Sequence, residues 1–139
     1  MKTTHATVQY AGDSFFIATT PSGHGQVLDI KGERSAACGP LELLTIALGG
    51  CTGADVISIL EKKRLHLSGY RIEVHFERRE EHPRSFRRFE VRHFLRGRGL
   101  TPKAVEQAIQ LSTDKYCSVA ATLRPTAEIV TSYEIEEEA

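Results

Sequence analysis

Residues 40–64 read PLELLTIALGGCTGADVISILEKKR, with Gly49, Gly50 and Cys51 together at the centre. Leu41, Leu43, Leu44, Ile46, Ala47, Leu48, Ala54, Val56, Ile57, Ile59 and Leu60 cover nearly every angle of a helical wheel, and a helix of that kind must be covered on most sides. Pro40 suits the first helical turn, where its missing N–H costs nothing, and Glu61-Lys62-Lys63-Arg64 brings cations to the C-terminal end. Each interior glycine costs a helix roughly 1 kcal/mol relative to alanine. Two of them beside a cysteine imply close access to the backbone, so Cys51 reads as a buried thiol approached through a glycine-made gap.

Outward from this helix the chain alternates strand and turn signals. His5 to Tyr10 and Ser14 to Thr19 are β-rich and joined by Ala11-Gly12-Asp13, and Gln26 to Ile30 predicts a third strand. Downstream, Tyr70, Ile72, Val74 and Phe76 alternate with Arg71, Glu73, His75 and Glu77, and Phe86 to Arg96 returns after a turn over Glu80 to Ser85. Thr101 and Pro102 open a second helix running to about Lys115, with Val105, Ala108, Ile109 and Ser112 on its inner stripe. A short helical turn over Tyr116 to Ala120 and a last strand, Glu128 to Ile135, complete the order βββαββαβ. This is an α+β chain with antiparallel sheet. So few elements leave the central helix undercovered, and a second copy is expected to supply the remainder through a large interface.

At 139 residues the expectation is a single domain, 1–139. Eighteen basic and eighteen acidic side chains cancel, so the overall field recommends neither nucleic acid nor an anionic membrane. The longest apolar run, Leu43 to Gly50, falls short of the roughly 20 residues that span a bilayer, which points to a soluble protein. Cys38, Cys51 and Cys117 have no CxxC spacing and no signal-like segment ahead of them, so they read as cytoplasmic thiols rather than a disulfide framework or a zinc site. The histidines suggest no metal centre, although His75 and His93 fall on neighbouring strands where they could face each other. No glycine pattern suggests a phosphate cofactor. The arginines from Arg78 to Arg98 are interleaved with Glu77, Glu80, Glu81 and Glu90, as on a solvated hairpin.

Chemistry therefore rests on the thiols. A thiolate in a partly open pocket can attack a peroxide oxygen, become a sulfenic acid and be resolved by a second thiol. Free cysteines also serve as small buried hydrophobes, and spacing leaves both readings open. Asp55, one turn after Cys51, would work against a thiolate if it lay close.

ELLTIALGGCTGADV followed by LTPKAVEQAIQLSTDKYCSVAATL resembles the OsmC/Ohr family of osmotically inducible and organic hydroperoxide resistance proteins, its OsmC-like branch in particular. The resemblance implies antiparallel sheets wrapped around a long buried central helix in an intertwined homodimer. It also implies a peroxidatic cysteine at Cys51 and a resolving cysteine at Cys117, organic hydroperoxides as substrates, and a dithiol reductant such as a lipoylated protein. The family's hydroperoxidases pair the first thiolate with an arginine from the N-terminal sheet, held by a glutamate ten residues before the cysteine. Here Leu41 stands at that position and no arginine precedes Arg34, so Arg34 with Glu42 is the expected substitute and Cys38 is expected to be idle. The alternative is a non-catalytic dimer of the same fold that binds a hydrophobic small molecule at its interface pocket.

Overall fold

The computed structural model describes residues 4–138. Contacts divide the chain into two compact units, Met1–Thr45 and Ile46–Ala139.

The first unit is a meander of β1 (Thr7–Gly12), β2 (Phe15–Thr19) and β3 (Gly25–Asp29), paired antiparallel in chain order. Its first turn falls later than the glycine suggested. Gly12 pairs with Phe15, and Asp13 and Ser14 occupy the two turn positions with φ of 49° and 65°. Positive φ at both central residues matches the twist of paired strands, and short polar side chains tolerate it better than most. After β3 the chain is gathered around Asp29, whose side chain is wholly enclosed. Its carboxylate accepts from Arg34 Nε at 2.8 Å and from the backbone N–H groups of Lys31 and Ala36 at 2.9 and 2.8 Å. The Arg34 guanidinium beside it holds the Asp29 carboxyl well below the usual carboxylate range.

Helix α1 (Pro40–Lys62) carries the chain into the second unit, where β4 (Leu67–Arg78), β5 (Phe86–Gly97) and β6 (Glu128–Glu137) form one sheet in that order. Between β5 and β6 lie α2 (Pro102–Leu111), a π-helical turn (Ser112–Tyr116) and α3 (Ser118–Leu123). The expectation of an antiparallel sheet holds for β4 with β5, whereas β6 runs parallel to β5. A parallel neighbour requires a crossover, and the helical segment between these strands provides it.

The glycines of α1 set how closely it lies on this sheet. A Cβ on Gly49 would come within 3.2 Å of Val74, and one on Gly53 within 2.8 Å of the Ile72 side chain, while nothing lies within 4 Å of a Cβ on Gly50. The close-packing pair is therefore Gly49 and Gly53, one turn apart, and not the adjacent Gly49 and Gly50. Farther along, Val56 and Leu60 join Leu95, Leu100, Val105, Ala108 and Ile109 in the core, with the stripe expected of α2 pointing inward. By length and composition α1 is apolar enough to cross a membrane, although its longest uninterrupted run is short. Its buried residues are Leu48, Gly49, Thr52, Gly53, Val56 and Leu60, and its other apolar residues include Ile46 and Ile57, 64% and 41% exposed.

Two further features constrain the sheet. His93 is fully buried on β5 opposite Ile72, with Nδ1 2.6 Å from the Tyr70 hydroxyl and no hydrogen-bond partner for Nε2 among the described residues. His75 lies opposite Glu90 and bonds Glu73, so the two histidines do not face each other. At the other end of β5, a Cβ on Gly97 would lie 2.6 Å from the His66 carbonyl oxygen, a backbone atom that cannot step aside. Gly97→Ala is expected to lower stability by about 1–3 kcal/mol in denaturant titration, as overpacking does elsewhere. An unchanged midpoint would mean that the His66 turn moves freely.

Candidate functional site

Cys51 sits mid-way along α1 and Cys117 comes 66 residues later, just past the π-helical turn. That turn decides where the second sulfur goes. The Cys117 N–H donates to the Ser112 carbonyl at 2.8 Å, five residues back, and Cys117 then leaves helical geometry with φ −74° and ψ 105°. It becomes the N-cap of α3, and its sulfur accepts the Ala120 N–H at 3.3 Å. The wider turn thus swings one side chain out of the helical path and re-aims it.

The result is a convergence of three donors. Cys51 Sγ, Cys117 Sγ and a carboxylate oxygen of Asp55 all lie within 4.8 Å of one another. Thr52 Oγ1 is 3.6 Å from Cys117 Sγ, and the Ser112 hydroxyl donates to Asp55 Oδ2 at 2.8 Å. The sulfurs are not equivalent. Cys117 is 2% exposed, whereas Cys51 is only partly buried. Burial pushes the Cys117 thiol up, opposed by the Ala120 N–H, and the neighbouring Cys51 pushes it further in the same direction. Cys117 is therefore kept out of solvent, and Cys51 is the sulfur a dissolved reagent can meet.

A groove of about 360 Å³ adjoins this cluster through Asp55. Ile59, Leu111 and Tyr116 give it apolar walls, and Ser58, Lys62 and Lys63 complete its lining. Such a cleft suits an organic group bearing a polar end.

The other anticipated residues have partners within the first unit. Arg34 donates to both oxygens of Asp29, to Asp13 Oδ2 at 2.9 Å and to the Asp13 carbonyl at 2.7 Å, and its guanidinium lies over Phe15. Glu42 accepts the Gly39 N–H at 2.8 Å, closing the start of α1. The two are not bonded to each other: Arg34 is taken by aspartates and Glu42 by backbone. Cys38 accepts from Gln26 Nε2 at 3.2 Å beside β3. Cysteine spacing did not single out Thr52 or Ser112. A signal existed for Ser112, because a polar residue continuing the buried stripe of α2 needs a partner.

Comparison with known proteins bears on the family and the fold. The family model described as OsmC-like protein matches residues 32–132, a span that draws on both units. Protein YhfA of Escherichia coli is 38% identical over 130 residues, covering 94% of this chain and 96% of its own. A crystal structure of a hypothetical protein from Aquifex aeolicus superposes with a TM-score of 0.88 at 32% identity, covering 100% of both chains. An organic hydroperoxide resistance protein OsmC from Legionella pneumophila superposes at 0.70 with 16% identity, covering 96% of this chain and 98% of its own, a likeness of fold. Matched across both cysteine segments and through the connecting sheet, the chain belongs to the OsmC-like protein family.

Proposed function

We propose that this protein is a thiol peroxidase that reduces organic hydroperoxides in oxidative or osmotic stress, with Cys51 peroxidatic and Cys117 resolving. The observation that carries the reading is the approach of the two sulfurs to within 4.8 Å, one partly exposed and one enclosed. The Cys51 thiolate attacks the terminal peroxide oxygen and breaks the O–O bond. With one proton taken up, the alcohol departs and Cys51 becomes a sulfenic acid. Cys117 then displaces the sulfenic oxygen, its thiol proton leaving with that oxygen as water, and a disulfide forms. An external dithiol returns both sulfurs to thiols by exchange and is itself oxidised to a disulfide. The apolar walls of the groove beside Asp55 favour a substrate with an organic body over hydrogen peroxide. With a dithiol as reductant, consumption of cumene hydroperoxide is expected to outpace that of hydrogen peroxide, and equal rates at the level of free cysteine would remove the reading.

The working form in this proposal is a cytoplasmic homodimer. Ile46, Gly50, Ala54 and Ile57 share one face of α1 and are exposed, with open space over Gly50 where a second helix can approach. Ile46→Asp is expected to convert the dimer to monomer in sedimentation equilibrium, and an unchanged dimer mass would show that another surface joins the subunits. The amphipathic groove also supports a second reading, a binder of hydrophobic small molecules with silent thiols. Slow labelling of Cys51 by a limiting thiol reagent would favour it.

A further inference from the structure

We infer that the reduced protein binds a soft divalent cation of the zinc class, with Cys51 Sγ, Cys117 Sγ and an Asp55 carboxylate oxygen as ligands. Zinc bound tetrahedrally takes thiolate sulfur at about 2.3 Å and carboxylate oxygen at about 2.0–2.2 Å, which sets neighbouring ligand atoms roughly 3.5–3.8 Å apart. The three donors already lie within 4.8 Å of one another, so closing on an ion needs shifts of about 1 Å or less, within reach of side-chain torsions. Two soft sulfurs with one carboxylate favour zinc, cadmium or cobalt over magnesium or calcium, which prefer oxygen alone.

The surroundings fit that role. Fully buried Ser112 donates to Asp55 Oδ2 and fixes the plane of the carboxylate, the orienting contact that metal-ligating carboxylates commonly have. The Ala120 N–H and the Thr52 hydroxyl lie against Cys117 Sγ, where they can support a thiolate. Lys63, in the groove wall, donates to Gln107. Two sulfurs and a carboxylate gathered in this way repel once the thiols ionise, and a divalent cation turns that repulsion into attraction. Binding deprotonates both thiols and releases their protons to solvent, with no change in oxidation state. The bound ion masks the pair from electrophiles, and a disulfide between the same sulfurs excludes it.

The test is anaerobic titration of the reduced 139-residue protein with Co(II). The expected result is one ion per chain, sulfur-to-cobalt charge-transfer absorption, displacement by Zn(II), and no such absorption after oxidation to the disulfide. Asp55→Asn, which keeps a hydrogen-bond acceptor for Ser112, is expected to weaken binding at least about tenfold, since even outer contacts to metal ligands are worth that much. Absence of charge-transfer absorption in the native protein, or unchanged affinity in Asp55→Asn, overturns the site. Should that variant fail to fold, peptide mapping of the native protein decides instead. Zn(II) must protect Cys51 and Cys117 from alkylation while leaving Cys38 open, and any other pattern contradicts the assignment. Metal binding without peroxide turnover would sink only the peroxidase reading, and turnover without metal binding would sink only this one.

Discussion

Cys51→Ser is expected to lose peroxide-dependent turnover completely, falling to the rate of the dithiol reductant alone, while Cys117→Ser should still consume one equivalent of hydroperoxide and then stop. The asymmetry follows from burial. Cys51 is the sulfur a peroxide can reach, and a hydroxyl in its place is no comparable nucleophile for an O–O bond. Cys117 is enclosed and its thiol is pushed up by burial, so it cannot stand in for the missing attacker. With Cys117 replaced, the first step survives and its product, a sulfenic acid on Cys51, persists for capture by a dimedone-type reagent. The reverse pattern, with Cys117→Ser inert and Cys51→Ser consuming one equivalent, would exchange the two roles. Turnover surviving in both variants would take the chemistry away from this pair.

The second large effect concerns acid stability. Burial lowers His93 from its ordinary 6.5 to about 4, so the folded protein resists a proton that the unfolded chain accepts readily. Above pH 6.5 the imidazole is neutral in both states and the shift has no influence. As pH falls from 6.5 towards 4 the unfolded state binds the extra proton and the fold loses up to ~3 kcal/mol, after which this contribution levels off. Asp29 acts in the next window down. Its folded carboxyl titrates below the unfolded value, so its contribution is present above about pH 4 and is lost at more acid pH. Denaturant titrations of the native protein and of His93→Gln separate the two. The variant retains a hydrogen-bonding side chain for Tyr70 and should lack the loss between pH 6.5 and 4. The same loss in both proteins would assign it to another group.

Much of this was readable in the residues themselves. The all-apolar wheel of α1, the period-two alternation of β4 and the stripe Val105, Ala108, Ile109 and Ser112 each follow from side-chain periodicity, and each element formed where its pattern lay. Pairing direction was less legible, because β6 has the composition of an edge strand whether it runs parallel or antiparallel to β5. The π-helical turn was hidden for a related reason. One extra residue in a helical turn leaves no mark on composition, yet it is what turns Cys117 towards Cys51. The glycines misled in detail, since Gly49-Gly50 stands out in a string while the sheet contacts fall at Gly49 and Gly53, the spacing of a helix face. Asp55 was visible as a carboxylate one turn from Cys51, but its tether to Ser112 joins residues 57 positions apart and only the fold supplies it.

In the proposed peroxidase, Cys51 and Cys117 of one chain form a peroxide-driven thiol pair. The direct measurement is to treat the fully reduced protein with a slight excess of cumene hydroperoxide, then determine intact mass and map peptides without reduction. The expected result is the loss of two hydrogens per chain, with the Cys51 and Cys117 peptides joined and Cys38 left as a free thiol. An unchanged mass, or oxidation confined to Cys38, would contradict it.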